Sequence, residues 1–222
     1  MDKFKIIAFT HRTSDLKDIG KLHIEDAALQ ERLVHLKNTM GIDELCYLST
    51  CNRVEFLIVT SQKTDRIFLL NFFREFNTFW TKEDCTDAAE MAIVYEGEDA
   101  LKHLFRVASS VDSLVVGERE IITQVRNAYE KCNEIGLTGD LLRLIIKSTI
   151  ETAKKVYTDT EIANKPVSVV SLAYRRLKEY NVKMDSRFLI IGAGQTNILM
   201  SKFLKNAHCP ISIIWIPEIS RY

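Results

Sequence analysis

Glu44-Leu45-Cys46-Tyr47-Leu48-Ser49-Thr50-Cys51-Asn52-Arg53-Val54-Glu55-Phe56-Leu57-Ile58-Val59-Thr60 is the stretch on which the fold turns. Two apolar, β-like runs, Glu44 to Ser49 and Val54 to Thr60, flank a short polar break and read as adjacent strands. Cys51 stands in that break, where a substrate can reach its thiol. The neighbouring Arg53 is suited to favour the thiolate and to hold an anionic group. The combination points to covalent catalysis on an acyl group, although a lone cysteine near an arginine is more often structural.

Working outward, Lys3 to Phe9 reads as a strand. Asp26 to Met40 reads as a helix, with Leu29, Leu33 and Leu36 at helical spacing and Gly41 as a stop. Asp65 to Phe79 is an aromatic-rich helix with Phe68, Phe72, Phe76 and Phe79 recurring on one face, and Met91 to Tyr95 is a last short strand. The order β-α-β-β-α-β is that of a ferredoxin-like sandwich, and it places Cys51 between the second and third strands at the sheet's rim. Beyond Gly97 the pattern turns helical: Glu98 to Ser110, then Glu118 to Ile135 closed by Gly136 and Gly139, then a helix capped by Asp140 and running to about Tyr157. Pro166 marks a boundary, and Ser168 caps a helix reaching Glu179.

From Arg187 the chain reads β-α-β. Phe188 to Ile191 is a strand, Gly192-Ala193-Gly194 a turn, Gln195 to Asn206 a helix, and Ile211 to Ile216 a second strand. This is the opening unit of a Rossmann-type α/β domain. The expected architecture is therefore α+β followed by an incomplete α/β unit. Residues 1–160 form the catalytic domain, 161–186 a linker and helix, and 187–222 the start of a nucleotide-binding domain.

Composition narrows the function classes. Thirty basic and thirty acidic side chains cancel in 222 residues, so no global field draws the protein to nucleic acid or membrane. Five widely spaced cysteines without a CxxC pair argue against a disulfide framework or a zinc site, and a reducing cytoplasm fits them best. His11, His23, His35 and His208 show no metal-ligand spacing. Lys3 and Lys5 interrupt the first apolar run, and no segment approaches the ~18 apolar residues of a membrane span.

Several features carry chemistry less sharply. The Gly192-Ala193-Gly194 turn would direct backbone N–H groups and a helix N-terminus at a pyrophosphate, with Asn197 where a third glycine is usual. Glu218 follows near the usual interval for an acid that contacts a ribose hydroxyl, which taken alone favours NAD over NADP. His103 reads from periodicity as a polar residue on an amphipathic helix. Glu118, Arg119, Glu120 and Gln124 begin a helix with enough charge to orient a polar ligand, although capping explains them equally well. Arg143, Lys147, Lys154 and Lys155 give a basic helix face of the solvated kind.

Taken together, Ser49-Thr50-Cys51-Asn52-Arg53-Val54-Glu55, the block from Leu104 to Glu118, Gln124-Val125-Arg126-Asn127-Ala128-Tyr129 and the Gly192-Ala193-Gly194 turn resemble, in order and separation, the glutamyl-tRNA reductase family of five-carbon tetrapyrrole biosynthesis. The resemblance implies that Cys51 attacks the ester joining glutamate to the tRNA 3′ end. Hydride from NADPH then reduces the thioester to glutamate-1-semialdehyde. It implies an active-site role for His103. Thr50, Asn52, Arg53, Ser113, Glu118, Arg119, Glu120 and Gln124 fall at substrate-binding positions, with Arg53 as anchor of the glutamyl group. Gly192, Ala193, Gly194, Gln195, Thr196 and Asn197 fall at cofactor positions. The implied partners are glutamyl-tRNA and the downstream semialdehyde aminomutase, and the full-length family is homodimeric. Two local departures stand out: Gly117-Glu118-Arg119-Glu120 where the family often has Gly-Glu-Pro-Gln, and Ser110 for a frequent glycine. The ending at Tyr222 leads to the expectation of a shortened chain that keeps thioester or esterase chemistry and reduces poorly. The competing readings are a non-catalytic tRNA- or partner-binding fragment and a redox-sensing thiol.

Overall fold

The apolar runs around Cys51 pair as antiparallel strands in the computed structural model, which describes residues 2–113, 116–163, 169–180, 186–192, 194–206 and 209–214. β2 (Glu44–Thr50) and β3 (Arg53–Val59) are in register with Thr50 opposite Arg53, so Cys51 and Asn52 form the turn between them. β1 (Phe4–Thr10) pairs antiparallel with the other side of β3, and β4 (Ile93–Glu96) antiparallel with β1, giving the sheet order β2-β3-β1-β4. Every residue of β1 and β3 is buried, because helices cover both faces.

The register sorts the faces. Tyr47, Phe56 and Ile7 share one row, and Leu48, Glu55 and Ala8 share the next row on the opposite face. The first face packs against α3 (Arg66–Phe76), where Phe56 meets Phe72 and Phe76 edge-on at 5.1 and 5.2 Å. Asp65 caps α3 by accepting from the backbone N–H groups of Ile67 and Phe68. The helix stops at Phe76, short of the expected Phe79, whose side chain is 89 % exposed. A new helix, α4 (Lys82–Met91), follows instead, started by a reciprocal capping box between Thr81 and Asp84. Two further helices precede β2: α1 (Leu16–Lys21), which the periodicity did not announce, and α2 (Asp26–Thr39).

Three helices serve the other face and the free edge of the sheet: α5 (Gly97–Ala108), α6 (Glu120–Glu134) and α7 (Asp140–Asp159). β2 is an edge strand, and α6 with its following turn shields it. The Leu45 N–H donates to the Leu137 carbonyl at 2.9 Å, and the Tyr47 N–H points at Cys132 Sγ at 3.4 Å. α6 runs antiparallel to β2, its start beside Cys51 and its end beside Cys46 and Tyr47. Asp140 is not the cap of α7. Gly139 holds that position, and the carboxylate of Glu44, reaching from β2, accepts from the N–H groups of Gly139, Leu141 and Leu142 at 2.8–3.1 Å. A remote carboxylate thus satisfies the helix's open donors and ties it to the sheet.

The chain divides into two compact units, residues 1–164 and 165–222. In the second, α8 (Val169–Glu179) precedes β5 (Phe188–Ile191), α9 (Gln195–Asn206) and β6 (Ile211–Ile214), and β5 pairs parallel with β6. Ala193, Pro166, Ser168, Pro217, Glu218 and the expected strand end at Ile216 lie outside the described residues. Among the described residues no helix is long and apolar enough to cross a membrane.

Candidate active site

The turn between β2 and β3 presents Cys51 to solvent, and the residues around it are held. The Asn52 N–H donates to Thr50 Oγ1 at 3.3 Å, and the Asn52 carbonyl accepts from the His11 N–H at 3.0 Å. Facing the turn is the passage between α5 and α6. α5 ends in a Schellman motif: the Ser110 N–H donates to the Val107 carbonyl and the Val111 N–H to the Arg106 carbonyl, both at 2.9 Å. This geometry puts Ser110 in the left-handed region (φ 57°), a conformation that glycine adopts most readily. The serine adds something glycine lacks: its Oγ accepts from the Gly117 N–H at 3.1 Å. Gly117 has φ +87°, and a Cβ on it would lie 2.1 Å from the Ile162 carbonyl oxygen. No other residue fits there.

These two features close a cavity of about 70 Å³. The hairpin contributes Thr50, Cys51, Asn52 and Arg53, the passage Ser110, Ser113 and Glu118, and the first turns of α6 Glu120, Ile121 and Gln124. Most residues singled out in the sequence for substrate binding therefore meet at one thiol. Arg119 does not join them; its guanidinium sits over the Tyr157 ring, 5.6 Å from the centroid. Sequence reasoning missed Ser110 and Ile121 as lining residues. Helical spacing would have found Ile121, three positions before Gln124, and the left-handed cap identifies Ser110.

The local field differs from the sequence expectation. Partial burial pushes the Cys51 thiol above its ordinary value, an N–H bond works the other way, and the charges of Glu118 and Glu120 push it further up. Arg53 does not offset this, because its guanidinium is committed elsewhere. Glu118 is itself raised, by burial first and by Glu120 second. The cavity therefore sets a thiol held above its ordinary value beside two acids, a field that favours a cation.

Arg53 and Glu55, two apart on β3, point to the same face and start a buried polar chain. Arg53 Nη1 donates to Glu55 Oε1 at 2.7 Å, and Nη2 donates to the Asp112 carbonyl. Glu55 Oε1 also meets His103 Nε2 at 3.0 Å, while His103 Nδ1 lies 3.8 Å from Asp112 Oδ2. The His103 ring stacks on Tyr95 with centroids 4.1 Å apart. Burial pushes the Glu55 carboxyl up, but its bond to His103 and the charge of Arg53 outweigh that and hold it low. His103 does not line the Cys51 cavity. It opens on a separate hollow of about 410 Å³ with Arg12, Lys102 and Arg106, and connects to the cysteine's side through Glu55, Asp112 and Arg53.

In the second unit, Gly192 takes φ +96° at the end of β5, and Asn197 Nδ2 donates to the carbonyls of Ile191 and Gly192 at 2.8 and 3.3 Å. Where a third glycine is usual, the asparagine braces the turn. Gly194 leaves open space where a Cβ would stand, and Thr196 follows in the first turn of α9. Among the described residues no three His, Cys, Asp or Glu side chains gather as a metal site.

Comparison with known proteins bears on both units. Residues 7–160 match the family model described as the N-terminal domain of glutamyl-tRNA(Glu) reductase. Curated glutamyl-tRNA reductases align over most of the chain. That of Staphylococcus saprophyticus is 36 % identical over 87 % of this chain and 43 % of its own length. That of Shouchella clausii is 32 % identical over 94 % and 46 %. The chain thus spans less than half the length of these relatives. The solved structure of glutamyl-tRNA reductase from Methanopyrus kandleri superposes with a TM-score of 0.64 at 25 % identity, covering 96 % of this chain and 49 % of that one.

Proposed function

Since this chain belongs to the glutamyl-tRNA reductase family, matched through that family's N-terminal domain, we propose that it accepts the glutamyl group of glutamyl-tRNA on Cys51. The observation that carries the reading is the single cavity gathering Cys51 with Thr50, Asn52, Arg53, Ser113, Glu118, Glu120 and Gln124. The sheet order β2-β3-β1-β4 supports a ferredoxin-like sandwich that sets this turn at its rim.

The field of the cavity suits the substrate. A glutamyl ester carries an α-ammonium, and the Glu118 and Glu120 carboxylates attract it. Once seated, that cation offsets the acids that keep the thiol protonated, so substrate binding lowers the Cys51 pKa and exposes the thiolate as it is needed. Glu118, its carboxyl raised by burial and by Glu120, takes the thiol proton. The sulfur adds to the ester carbonyl, the bond to the ribose oxygen breaks, and the proton returns to that oxygen as the tRNA 3′ end leaves. Arg53 holds the γ-carboxylate with the part of its donor fork not given to Glu55 and Asp112, while Glu55 and His103 fix the guanidinium as positioning residues.

Completing the family reaction calls on the second unit. The positive φ of Gly192, the open space at Gly194 and the helix start at Gln195 to Asn197 fit the pyrophosphate of NADPH, and the β5-α9-β6 order supports a Rossmann-type opening. When bound, that cofactor supplies hydride to the thioester carbon.

Single-turnover incubation of the chain with glutamyl-tRNA, read by intact mass and peptide mapping, tests the proposal. A glutamyl adduct on Cys51 that disappears in Cys51→Ser is expected. Neither adduct nor ester hydrolysis by the folded chain would refute it.

A further inference from the structure

We propose that Cys46 and Cys132 are an oxidant-responsive thiol pair, joined by a hydroperoxide into a reversible disulfide that ties α6 to the edge strand β2. Neither thiol takes part in the chemistry at Cys51, so the inference stands apart from the acyl-transfer reading.

Strand alternation and helix packing bring the two sulfurs together. Cys46 lies between Glu44 and Leu48 on β2 and shares their face, the one from which Glu44 reaches α7. Cys132 stands in the last turn of α6, and the bond from the Leu45 N–H to the Leu137 carbonyl holds the end of that helix against the strand. The Tyr47 N–H, the amide that follows Cys46, donates to Cys132 Sγ at 3.4 Å. The Cys46 thiol is hydrogen-bonded to the same sulfur. Both cysteines are buried and both thiols are free. Two donors aimed at one sulfur exceed what a small apolar side chain needs for packing.

The contacts give the two thiols different roles. The bond from Cys46, the Tyr47 N–H and the charge of Lys131 together outweigh burial and hold the Cys132 thiol below its ordinary value. The same bond, with burial, pushes Cys46 well above. Cys132 is therefore the nucleophile and Cys46 the resolving thiol. An approach for a small oxidant exists. The hollow of about 230 Å³ beside α6 is lined by Tyr47, Ala128 and Lys131, which brings solvent to within one helical turn of Cys132.

The chemistry balances with hydrogen peroxide as oxidant. Cys132 sulfur attacks one peroxide oxygen, the O–O bond breaks, and the departing hydroxide takes the thiol proton as water. Cys46 sulfur then attacks the Cys132 sulfenic acid, the S–O bond breaks, and hydroxide leaves with the Cys46 proton as a second water. Two thiols lose two electrons, which reduce the peroxide, and a dithiol reverses the step. In a reducing compartment the pair rests as thiols. Because α6 carries Glu120, Ile121 and Gln124 into the Cys51 cavity, the redox state of its far end sets how firmly that wall is held.

The test treats the whole chain with excess hydrogen peroxide, in a Cys51→Ser background that removes the exposed thiol. Non-reducing peptide mapping is expected to recover a Cys46–Cys132 linked peptide, lost again on adding dithiothreitol. Cys46→Ala should halt the reaction at a Cys132 sulfenic acid that dimedone traps. Hydrogen exchange along α6 should slow ~10-fold in the linked chain, since a crosslink suppresses the openings that release the helix from β2. No linked peptide from chain that keeps its native circular dichroism overturns the inference, and so does a linked peptide formed only after unfolding. Should Cys46→Ala fail to fold, the parent chain still decides the matter. Unchanged exchange in α6 would overturn the hold on the cavity wall.

Discussion

The two units of this chain treat their apolar residues in opposite ways. In residues 1–164 the sheet is sealed: β1 and β3 are buried throughout, and Phe9, Phe56, Phe72, Phe73 and Phe76 pack at its centre. In residues 165–222, Leu189 and Ile191 on β5 are 59 % and 57 % exposed, and Ile198 and Leu199 on α9 are exposed as well, while Ile190 and Leu204 are buried. The sealed unit can hold charge inside, because packing fixes the partners that a buried ion requires. The open unit carries the pattern of a nucleotide-binding turn on a sheet covered on one side only, among the described residues. The proposed acyl chemistry at Cys51 sits in the sealed unit, and variants on each side measure the contrast.

The largest effect belongs to Glu55. Glu55→Ala leaves the Arg53 guanidinium and His103 without their shared acceptor in a buried site, and a loss of about 3–5 kcal/mol is expected. Denaturant unfolding of the first unit measures it; a cost under about 1 kcal/mol would mean that water reaches the pair and that the unit is not sealed. The pH dependence has a definite sign. Glu55 ionises more readily in the folded state than in the unfolded one. Its contribution is complete above the unfolded carboxylate value of about 4.3 and fades as pH falls through the lower folded value. A Glu55→Gln variant should show a flatter stability curve in that acidic window.

Gly117→Ala comes next. The left-handed backbone costs about 1–2 kcal/mol with a Cβ, and the 2.1 Å approach to the Ile162 oxygen adds to it. The chain should lose at least ~2 kcal/mol and most of its acylation rate, since Ser113 and Glu118 move with the passage. A variant with wild-type melting and rate would show that the passage is not held by this contact.

Much of the sealed unit was legible because its signals are local. The runs around Cys51 gave strands within a residue or two of β2 and β3, and the Asp26 helix was placed to within one residue at its end. Thr81 and Asp84 carried a readable capping signal that the run of phenylalanines obscured. What could not be read was long-range. Glu44 capping α7 across 95 to 98 positions, and Arg53 turning from the thiol to Glu55 and Asp112, depend on which elements the fold brings together. The thiol's environment was misread for the same reason: Arg53, two positions on in sequence, is cationic, but the charges that face the sulfur belong to Glu118 and Glu120, far along the chain. In the open unit the turn at Gly192 was legible, because one glycine with a positive φ between a strand and a helix is a local event.

Glu120→Gln tests that field with a smaller effect. Removing one of the acids that raise the Cys51 thiol should shift its alkylation profile toward lower pH and speed iodoacetamide labelling about 2- to 3-fold at neutral pH. An unchanged profile would mean that burial alone sets the thiol. A profile shifted upward would overturn the sign of the field and, with it, the ammonium's proposed role in freeing the thiolate.

The smallest effect is expected from the open unit and is the sharpest check on the comparison. Leu189→Ser and Ile191→Ser replace side chains that already lie in solvent, so each should change stability by no more than about 0.5 kcal/mol. Ile190→Ser, between them on the buried side of the same strand, should cost about 2 kcal/mol or more, because it loses apolar burial and places a hydroxyl in the interior. Hydrogen exchange resolved by residue would assign each loss to the second unit. The alternation along one strand is the argument: equal costs at all three positions would require something to cover the exposed face in solution. A second copy of the chain would do so, and dilution would then separate the costs at Leu189 and Ile191 from that at Ile190. If the alternation holds and stays independent of concentration, the turn at Gly192 rests on a sheet with one face open.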